Sequence, residues 1–534
     1  MKNFIAILFV LFLTNACSDF LDKDPNFVVP EKYYNTEEEL TMALNGVYNR
    51  LIDTNGRMYS RGLFSYFVVS DEAFYKNISV KSKNIRVLAM DAADIDIGRF
   101  WEVLYEGINR ANLLLENMED LDLNTSNKRT IKGEALFMRG YYHFLLTSFF
   151  EKVPLKLKPT YSSNDEILPQ SSLQAIYDQI VADMKEASTL VLDIEQLPSN
   201  ERVSKTTVQA ILARVYLKMA GKPLTDNPMS SEAQTYYSQA LVYADSVISS
   251  QKHELNTDYA QIFINHSKDI NEPLECLWEV GMYGNKIGDV DLAGFVGIEN
   301  GIYCTDEELG YSGGALQVTK KMYDLFGTKD ISRRDWAIAP YRFNTNATTG
   351  ETSKTYFTSA QIYDRNPGKW RREYEDGKKA RSYNSTNFAI IRYSDVLLMK
   401  AEAENAVNGP TTEAYNAINQ VRRRAFNLPI NTPNADCDIP EGLDKVEFLQ
   451  ELQDERAREL CFEGMRRHDL IRWGIYVETM KELATNITAT APTSPVNYRY
   501  AASAGQNITD RNVTFPIPNK ELVVNKQISQ NKGW

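Results

Sequence analysis

Apolar residues return at steps of three and four in stretch after stretch of this chain, and that spacing commits most of it to amphipathic helices. From Asn35 to Asp53 the series Thr36, Leu40, Ala43, Leu44, Val47, Leu51 has this period, with Thr36 placed as N-cap and Glu37 to Glu39 favourable in the first turn. A second helix runs through Trp101, Leu104, Tyr105, Ile108 and Leu115, and a third over 131–150 stops before Val153-Pro154. The same spacing predicts helices over 172–191, 206–220, 232–250, 394–407, 412–426 and 445–461, with a short one over 320–326. In the last long stretch Leu452, Leu460 and Phe462 form one apolar side before a break near Gly464. Arg456, Glu459, Glu463 and Arg466 follow at intervals that allow opposite charges to pair along a helix surface.

The N-terminus has a different character. Lys2, the apolar run from Phe4 to Leu13 and small residues before Cys17 read as a signal peptide over residues 1–16, since the run is shorter than the ~20 residues of a spanning helix. Asp19, Asp22, Asp24, Pro25 and Pro30 then favour an extended acidic tether over 17–34. Residues 35–534 read as one domain, with a helical scaffold mainly over 35–252 and 387–475. Between them, 253–386 is rich in Gly, Asn, Asp and aromatic residues and has few long helical periods. Long irregular segments on a rigid scaffold are where function concentrates, so binding chemistry is expected there.

Composition narrows the ligand classes. A formal net charge of −12 argues against nucleic acid as a partner. The 30 Tyr, 23 Phe and 6 Trp exceed what packing obviously requires. Beyond Cys17, the cysteines Cys276, Cys304, Cys437 and Cys461 match neither a zinc site nor a CxxC pair. A Cys276–Cys304 disulfide is open in an oxidising compartment, without being fixed by the sequence. No HExxH, phosphate loop or dinucleotide fingerprint occurs, so neither metal nor cofactor is expected. Gly310-Tyr-Ser-Gly-Gly314 fits a nucleophile-elbow pattern, but the acidic Thr305-Asp-Glu-Glu-Leu309 before it is no central strand, and only His468 lies downstream. The adjacent acids Asp71-Glu72 and Glu307-Glu308 give no sign of the opposed geometry of a glycosidase. The chain is therefore read as a non-enzyme.

Several blocks together resemble one family. Glu455-Arg-Ala-Arg-Glu-Leu-Cys-Phe-Glu-Gly-Met-Arg-Arg-His-Asp-Leu-Ile-Arg-Trp-Gly474 closely resembles the C-terminal signature of the SusD/RagB outer-membrane nutrient-binding lipoproteins. Arg139 to Leu155 is similar to the family's aromatic helix leading into a Val-Pro turn, Arg392 to Asn405 to its Arg-Tyr-initiated helix, and Ile418 to Ala425 to the helix after it. Phe515 to Leu522 and the ending Gln530 to Trp534 match its terminal segment, although Tyr is commoner there than Trp534. Leu13-Thr-Asn-Ala-Cys17 resembles a lipobox with Thr14 at the usual Leu position, which makes Cys17 the lipidation site. The helix pairs 206–221 with 236–250 and 395–407 with 412–426 resemble tetratricopeptide repeats, whose stacking buries faces that one pair cannot cover.

The resemblance implies a mostly α fold, a tetratricopeptide-like scaffold carrying an irregular ligand-binding half. It implies a lipid-anchored protein of the outer membrane facing the cell exterior, which captures oligosaccharide and delivers it to a SusC-like TonB-dependent transporter. A peptide-binding RagB-like receptor and a glycoside hydrolase are the alternatives. Rings suit sugars because pyranose C–H faces lie on flat apolar surfaces while polar edges satisfy hydroxyls. Three loops supply the candidate ligand-binding residues: Phe74, Tyr75 and Asn77 after Ser70-Asp-Glu72, Tyr283 and Asn285 between glycines, and Tyr303 and Tyr311 in 303–314. Phe74 and Tyr75 are expected to be exposed opposite Tyr283 and Tyr311, with Trp370 held in reserve.

Overall fold

The computed structural model describes residues 34–534 except 54, 56, 64–66, 77–83, 120–124, 284–293, 378, 380 and 494–495. Cys17, the signal peptide, nearly all of the tether, Asn77 and Asn285 lie outside the described residues.

The periodic stretches are helices: α1 (Glu37–Tyr48), α2 (Ile95–Asn117), α3 (Ser126–Phe150), α4 (Leu173–Leu190), α5 (Lys205–Met219) and α6 (Ser231–Ser249). Side chains satisfy the free amides at their N-termini. Thr36 and Glu39 form a reciprocal capping box on α1, while Ser172, Ser204 and Ser230 each accept from a first-turn amide. The next elements are α7 (Tyr259–Lys268), the short helices α8 (Val296–Glu299), α9 (Lys320–Leu325) and α10 (Ile331–Ala337), and the strands β1 (Ala73–Tyr75), β2 (Cys276–Val280), β3 (Leu316–Val318), β4 (Tyr341–Thr345), β5 (Thr352–Tyr356) and β6 (Phe388–Arg392). The C-terminal third holds α11 (Tyr393–Asn408), α12 (Thr412–Ala425), α13 (Lys445–Leu460), α14 (Arg466–Arg472), α15 (Tyr476–Thr490), α16 (Ser503–Asn507) and α17 (Asn519–Val524). The strands pair only as antiparallel twos, β1 with β3, β2 with β6 and β4 with β5.

Consecutive helices stack from α2 through α6, and α11 packs on α6, α12 and α13. That is how a solenoid of helix pairs buries faces no single pair could cover. Close approach depends on small residues. Ala210 and Ala213 of α5 are fully buried, and a Cβ on Gly107 of α2 would sit 2.5 Å from the Tyr142 ring of α3. Among the described residues, no helix is long and apolar enough to cross a membrane.

Arg456, Glu459, Glu463 and Arg466 do not pair with one another along a helix surface, contrary to the sequence expectation. α13 ends at Leu460, and its buried charged residues Arg456 and Glu459 meet partners on other elements. Glu459 meets Arg424 at 2.6 Å, Arg392 at 3.0 Å and Arg333 at 3.1 Å, so α12, β6 and α10 converge on one carboxylate. Glu463 takes Lys369 at 2.5 Å and Arg392 at 2.7 Å, and Arg466 reaches Asp71 at 2.9 Å across almost the whole chain. Arg456 holds Asp395 at 2.8 Å and Asp469 at 2.9 Å. Burial alone would raise the Glu459 carboxyl, but Arg424, Arg392 and Arg333 hold it down at about 2. Cys276, Cys304, Cys437 and Cys461 are all free and buried, so Cys276 and Cys304 form no disulfide.

Removing one member of such a cluster leaves its partners charged and buried. Glu459→Ala is expected to cost about 3–5 kcal/mol of stability in urea titration, with ligand affinity of the folded fraction unchanged. A loss under about 1 kcal/mol would show that the network does not hold these elements together.

Candidate functional site

The β1–β3 pair brings two of the three candidate loops together. Phe74 stands opposite Gln317 in the register, and the chain leaves β1 with Lys76 N donating to Ala315 O at 3.2 Å. Lys76 Nζ then donates to Gly313 O at 3.0 Å and lies 5.1 Å from the centre of the Tyr303 ring. The loop 303–314 closes through reciprocal backbone bonds between Cys304 and Ser312. Gly314 is required at its end: φ is +55°, and a Cβ would sit 2.8 Å from that of Tyr303.

The candidate rings fall into two groups. Phe74 and Tyr75 are buried, Phe74 edge-on to Tyr363 and Tyr75 beneath the Arg86 guanidinium at 4.7 Å, so neither is the exposed ring expected. The correction follows from secondary structure: both belong to a strand, which turns alternate side chains into the body on either face. Trp370 is likewise fully buried, stacked on Phe388 and edge-on to Phe263, and so does not serve as a reserve surface ring. Tyr303 and Tyr311 are half-buried, and Tyr283 is 45% exposed.

Residues between Arg372 and Ser385 border both Tyr311 and Tyr283. Arg372 Nη1 donates to Tyr311 O at 2.7 Å, and the Arg381 guanidinium lies 4.5 Å above the Tyr311 ring. Tyr283 shares a cleft with Lys268, Asp269, Asp376, Gly377 and Ser385. Sequence reading missed the cations of this face. Besides Arg86, Lys76 and Arg381, Arg61 lies 4.6 Å over the Phe295 ring and pairs with Glu299 at 2.7 Å. Tyr75 is closed off by its burial, whereas Phe295, Tyr303 and Tyr311 are only partly buried and each carries a cation over the ring, which places charge and aromatic surface side by side on this face. No local spacing signals these pairs, because Arg61 and Phe295, or Tyr311 and Arg381, come from separate parts of the chain.

The residues that the sequence offered for acid–base or nucleophilic work are engaged in other contacts. Ser312 is buried and donates to Ile298 O at 3.0 Å, and His468 packs edge-on against Phe149. Asp71 is bound to Arg466 and Lys321. His266, Cys276 and Glu279 lie close enough together to suggest a metal centre. Trp370 Nε1, which can only donate, meets His266 Nδ1 at 3.3 Å. The ring proton is therefore on Nε2, directed at Cys276 Sγ (3.2 Å) and Glu279 (3.4 Å), and a protonated ring nitrogen is no ligand.

The fold is a scaffold of stacked helix pairs that carries a loop-rich face with partly exposed aromatic rings. A family model described as "SusD family" matches residues 344–534, and one described as "Starch-binding associating with outer membrane" matches 19–217. A SusD-like protein of Formosa agariphila is 24% identical over 98% of this chain and 97% of its own length. The starch-binding protein SusD of Bacteroides thetaiotaomicron is 24% identical over 80% of this chain and 76% of its own. The crystal structure of a SusD homolog from Bacteroides thetaiotaomicron superposes with a TM-score of 0.85 at 27% identity, covering 95% of this chain and 98% of that one. The chain belongs to the SusD family.

Glu72, at the foot of β1, supplies a measurable property of the site's support. Burial, with the Asp71 carboxylate beside it, pushes its carboxyl up to about 8 despite Arg466. Between the ordinary value of 4.5 and about 8, the folded protein keeps a proton that the unfolded chain has lost. Stability therefore falls as pH rises through that window, by at most about 1.4 kcal/mol per pH unit. Glu72→Gln should unfold at a higher temperature than wild type at pH 8, with the difference closing towards pH 4.5. Parallel curves for the two proteins across this range would contradict the assignment.

Proposed function

We propose that the protein is a cell-surface receptor for oligosaccharide, anchored by lipid on Cys17 to the outer leaflet of the outer membrane, that passes its ligand to a SusC-like TonB-dependent transporter without cleaving it. The observation that carries the reading is the set of rings Tyr283, Tyr303 and Tyr311, left partly exposed on the loop face of a rigid helical scaffold. Exposed rings contribute little to folding but give a ligand a large contact surface at low entropic cost. Membership of the SusD family and the starch-binding name of one relative support a carbohydrate ligand. Residues 35–534 act as one domain in this reading. The basic and acidic side chains bordering the rings, among them Lys76, Arg381 and Asp376, supply hydrogen bonds to hydroxyls. Asn77 and Asn285 remain candidates for the same task.

Retention on a panel of immobilised polysaccharides, with reducing ends assayed alongside, tests the reading. Replacing Tyr283 and Tyr311 together by Ala is expected to weaken retention at least tenfold and to leave the thermal midpoint within about 1–2 °C of wild type, since neither ring belongs to the core. Full-strength binding by the double mutant would move the site elsewhere, and release of reducing ends by wild type would overturn the receptor reading. In cells, Cys17→Ala should leave the membrane fraction, and its undiminished retention there would refute the lipid anchor.

A further inference from the structure

Five cations from α5, α13 and α14 gather in one region of the scaffold, and among the described residues three carboxylates form ion pairs with them. Arg214 pairs with Asp395, Arg456 with Asp395 and Asp469, and Arg472 with Asp469 and Glu402. Lys218 and Arg467 are left over. Arg467 is fully buried, and its Nη2 donates to the carbonyls of Asn512 and Val513, both at 3.1 Å. Its guanidinium stacks on the Phe515 and Phe149 rings, while Nε and Nη1 have no hydrogen-bond acceptor among the described residues. Lys218 is 5% exposed and has neither a carboxylate nor a hydrogen-bond partner among the described residues.

An ammonium group in that position costs several kcal/mol unless it gives up its proton or finds an anion. Its surroundings provide room for the second. Lys218 and Ser148 both line a cavity bordered by the cations Arg214, Arg456 and Arg472, by His468, and by the carboxylates Asp469 and Glu463, which are themselves held in ion pairs with Arg456, Arg472, Lys369 and Arg392. The same two residues line a cleft that opens to solvent beside exposed Lys222, between the end of α3, the α5–α6 connection and the start of α15. Glu151, Asp226 and Asp510 stand around that cleft, an acidic rim that a large polyanion would meet as repulsion and a small ion would pass.

We propose that Lys218 and the Ser148 hydroxyl form a binding site for a small monovalent anion, a halide or a short carboxylate, which neutralises the surplus positive charge that Lys218 and Arg467 bring into the helical scaffold. The site shares no residue with the ring-bearing face and is independent of the glycan reading. Burial, reinforced by Arg467 and Arg472 and opposed by Asp469 and Glu151, brings the Lys218 ammonium down to about 7, so a nearby anion would also favour its charged form at neutral pH. Of the other titratable groups lining the cavity, His468 stays neutral because burial and the surrounding cations lower it far below its ordinary value, Glu463 is held charged by Arg392 and Lys369, and burial raises Tyr59 and Tyr141 so that both stay protonated.

The test exchanges chloride for gluconate, which is too large to enter, at constant ionic strength and pH 7. Wild type is expected to gain about 1–2 °C in thermal midpoint for each tenfold rise in chloride above half-saturation. Lys218→Met, which keeps the length and removes the charge, is expected to melt at one temperature across the series. In crystals of wild-type protein soaked in bromide, anomalous scattering should place an ion against Lys218 Nζ. A chloride response of equal size in Lys218→Met, no chloride response in wild type, or bromide-soaked crystals with no ion at Lys218 would each overturn the proposal. The bromide measurement needs only wild type, so it decides the matter even where the variant fails to fold.

Discussion

Glu459 is the point through which the architecture is joined. Its two oxygens receive Arg424 from α12, Arg392 from the end of β6 and Arg333 from α10, all within 3.1 Å and all buried. A carboxylate in that setting is stable only because three guanidiniums oppose its desolvation, and each guanidinium is stable only because an acid is present. Glu275 closes the ring by pairing with both Arg392 and Arg424. Such a cluster is costly to assemble and adds little net stability compared with apolar packing. In the observed arrangement α10, α12, α13 and β6 each contribute a buried charge whose partners lie on the other elements.

Local order was legible in the sequence and long-range partnership was not. The helices read from apolar spacing agree with α1, α3, α4, α5, α6, α11, α12 and α13 to within a few residues at either end, and Thr36 caps α1 as expected. Two longer helices escaped. α7 combines Asn265, His266 and Ser267 with its aromatic residues, so its polar composition hides a face that is nonetheless buried. α15 ends in Thr485 to Thr490, a poor helix-forming run held by tertiary packing of Leu483, Ala484 and Ile487. The charge pairs could not be read at all, since Arg466 and Asp71 are separated by 395 positions and nothing local links them.

The rings show the same division. Glycines on either side were the signal used for exposure, and Tyr283 and Tyr311 do reach the surface, although Tyr311 carries Arg381 on one face. Phe74 and Tyr75 were misjudged because Ser70-Asp-Glu72 reads as a polar loop entry, while its acids are in fact buried and the residues beyond them form β1. A run of polar residues signals exposure only when their charges have no partner inside.

That last case explains why a charged signature far from the ring-bearing face belongs to the same machine. Arg466 of α14 holds Asp71, whose carbonyl accepts the Thr319 hydroxyl, and Thr319 caps α9 immediately after β3. The next residue, Glu72, accepts weakly from the Phe462 amide at 3.4 Å in the turn after α13, and its own carbonyl takes the Thr319 amide at 3.0 Å. Two consecutive acids thus tie the C-terminal signature to both strands that carry the candidate loops. The rings that the signature touches, Phe149 and Phe515, are core rings, and it bears on the separation of Lys76 from Tyr303 through where Asp71 and Glu72 are held. A charge removed from this clamp should therefore act on the ring-bearing face through the placement of β1 and β3, whereas a ring removed from that face leaves the clamp untouched.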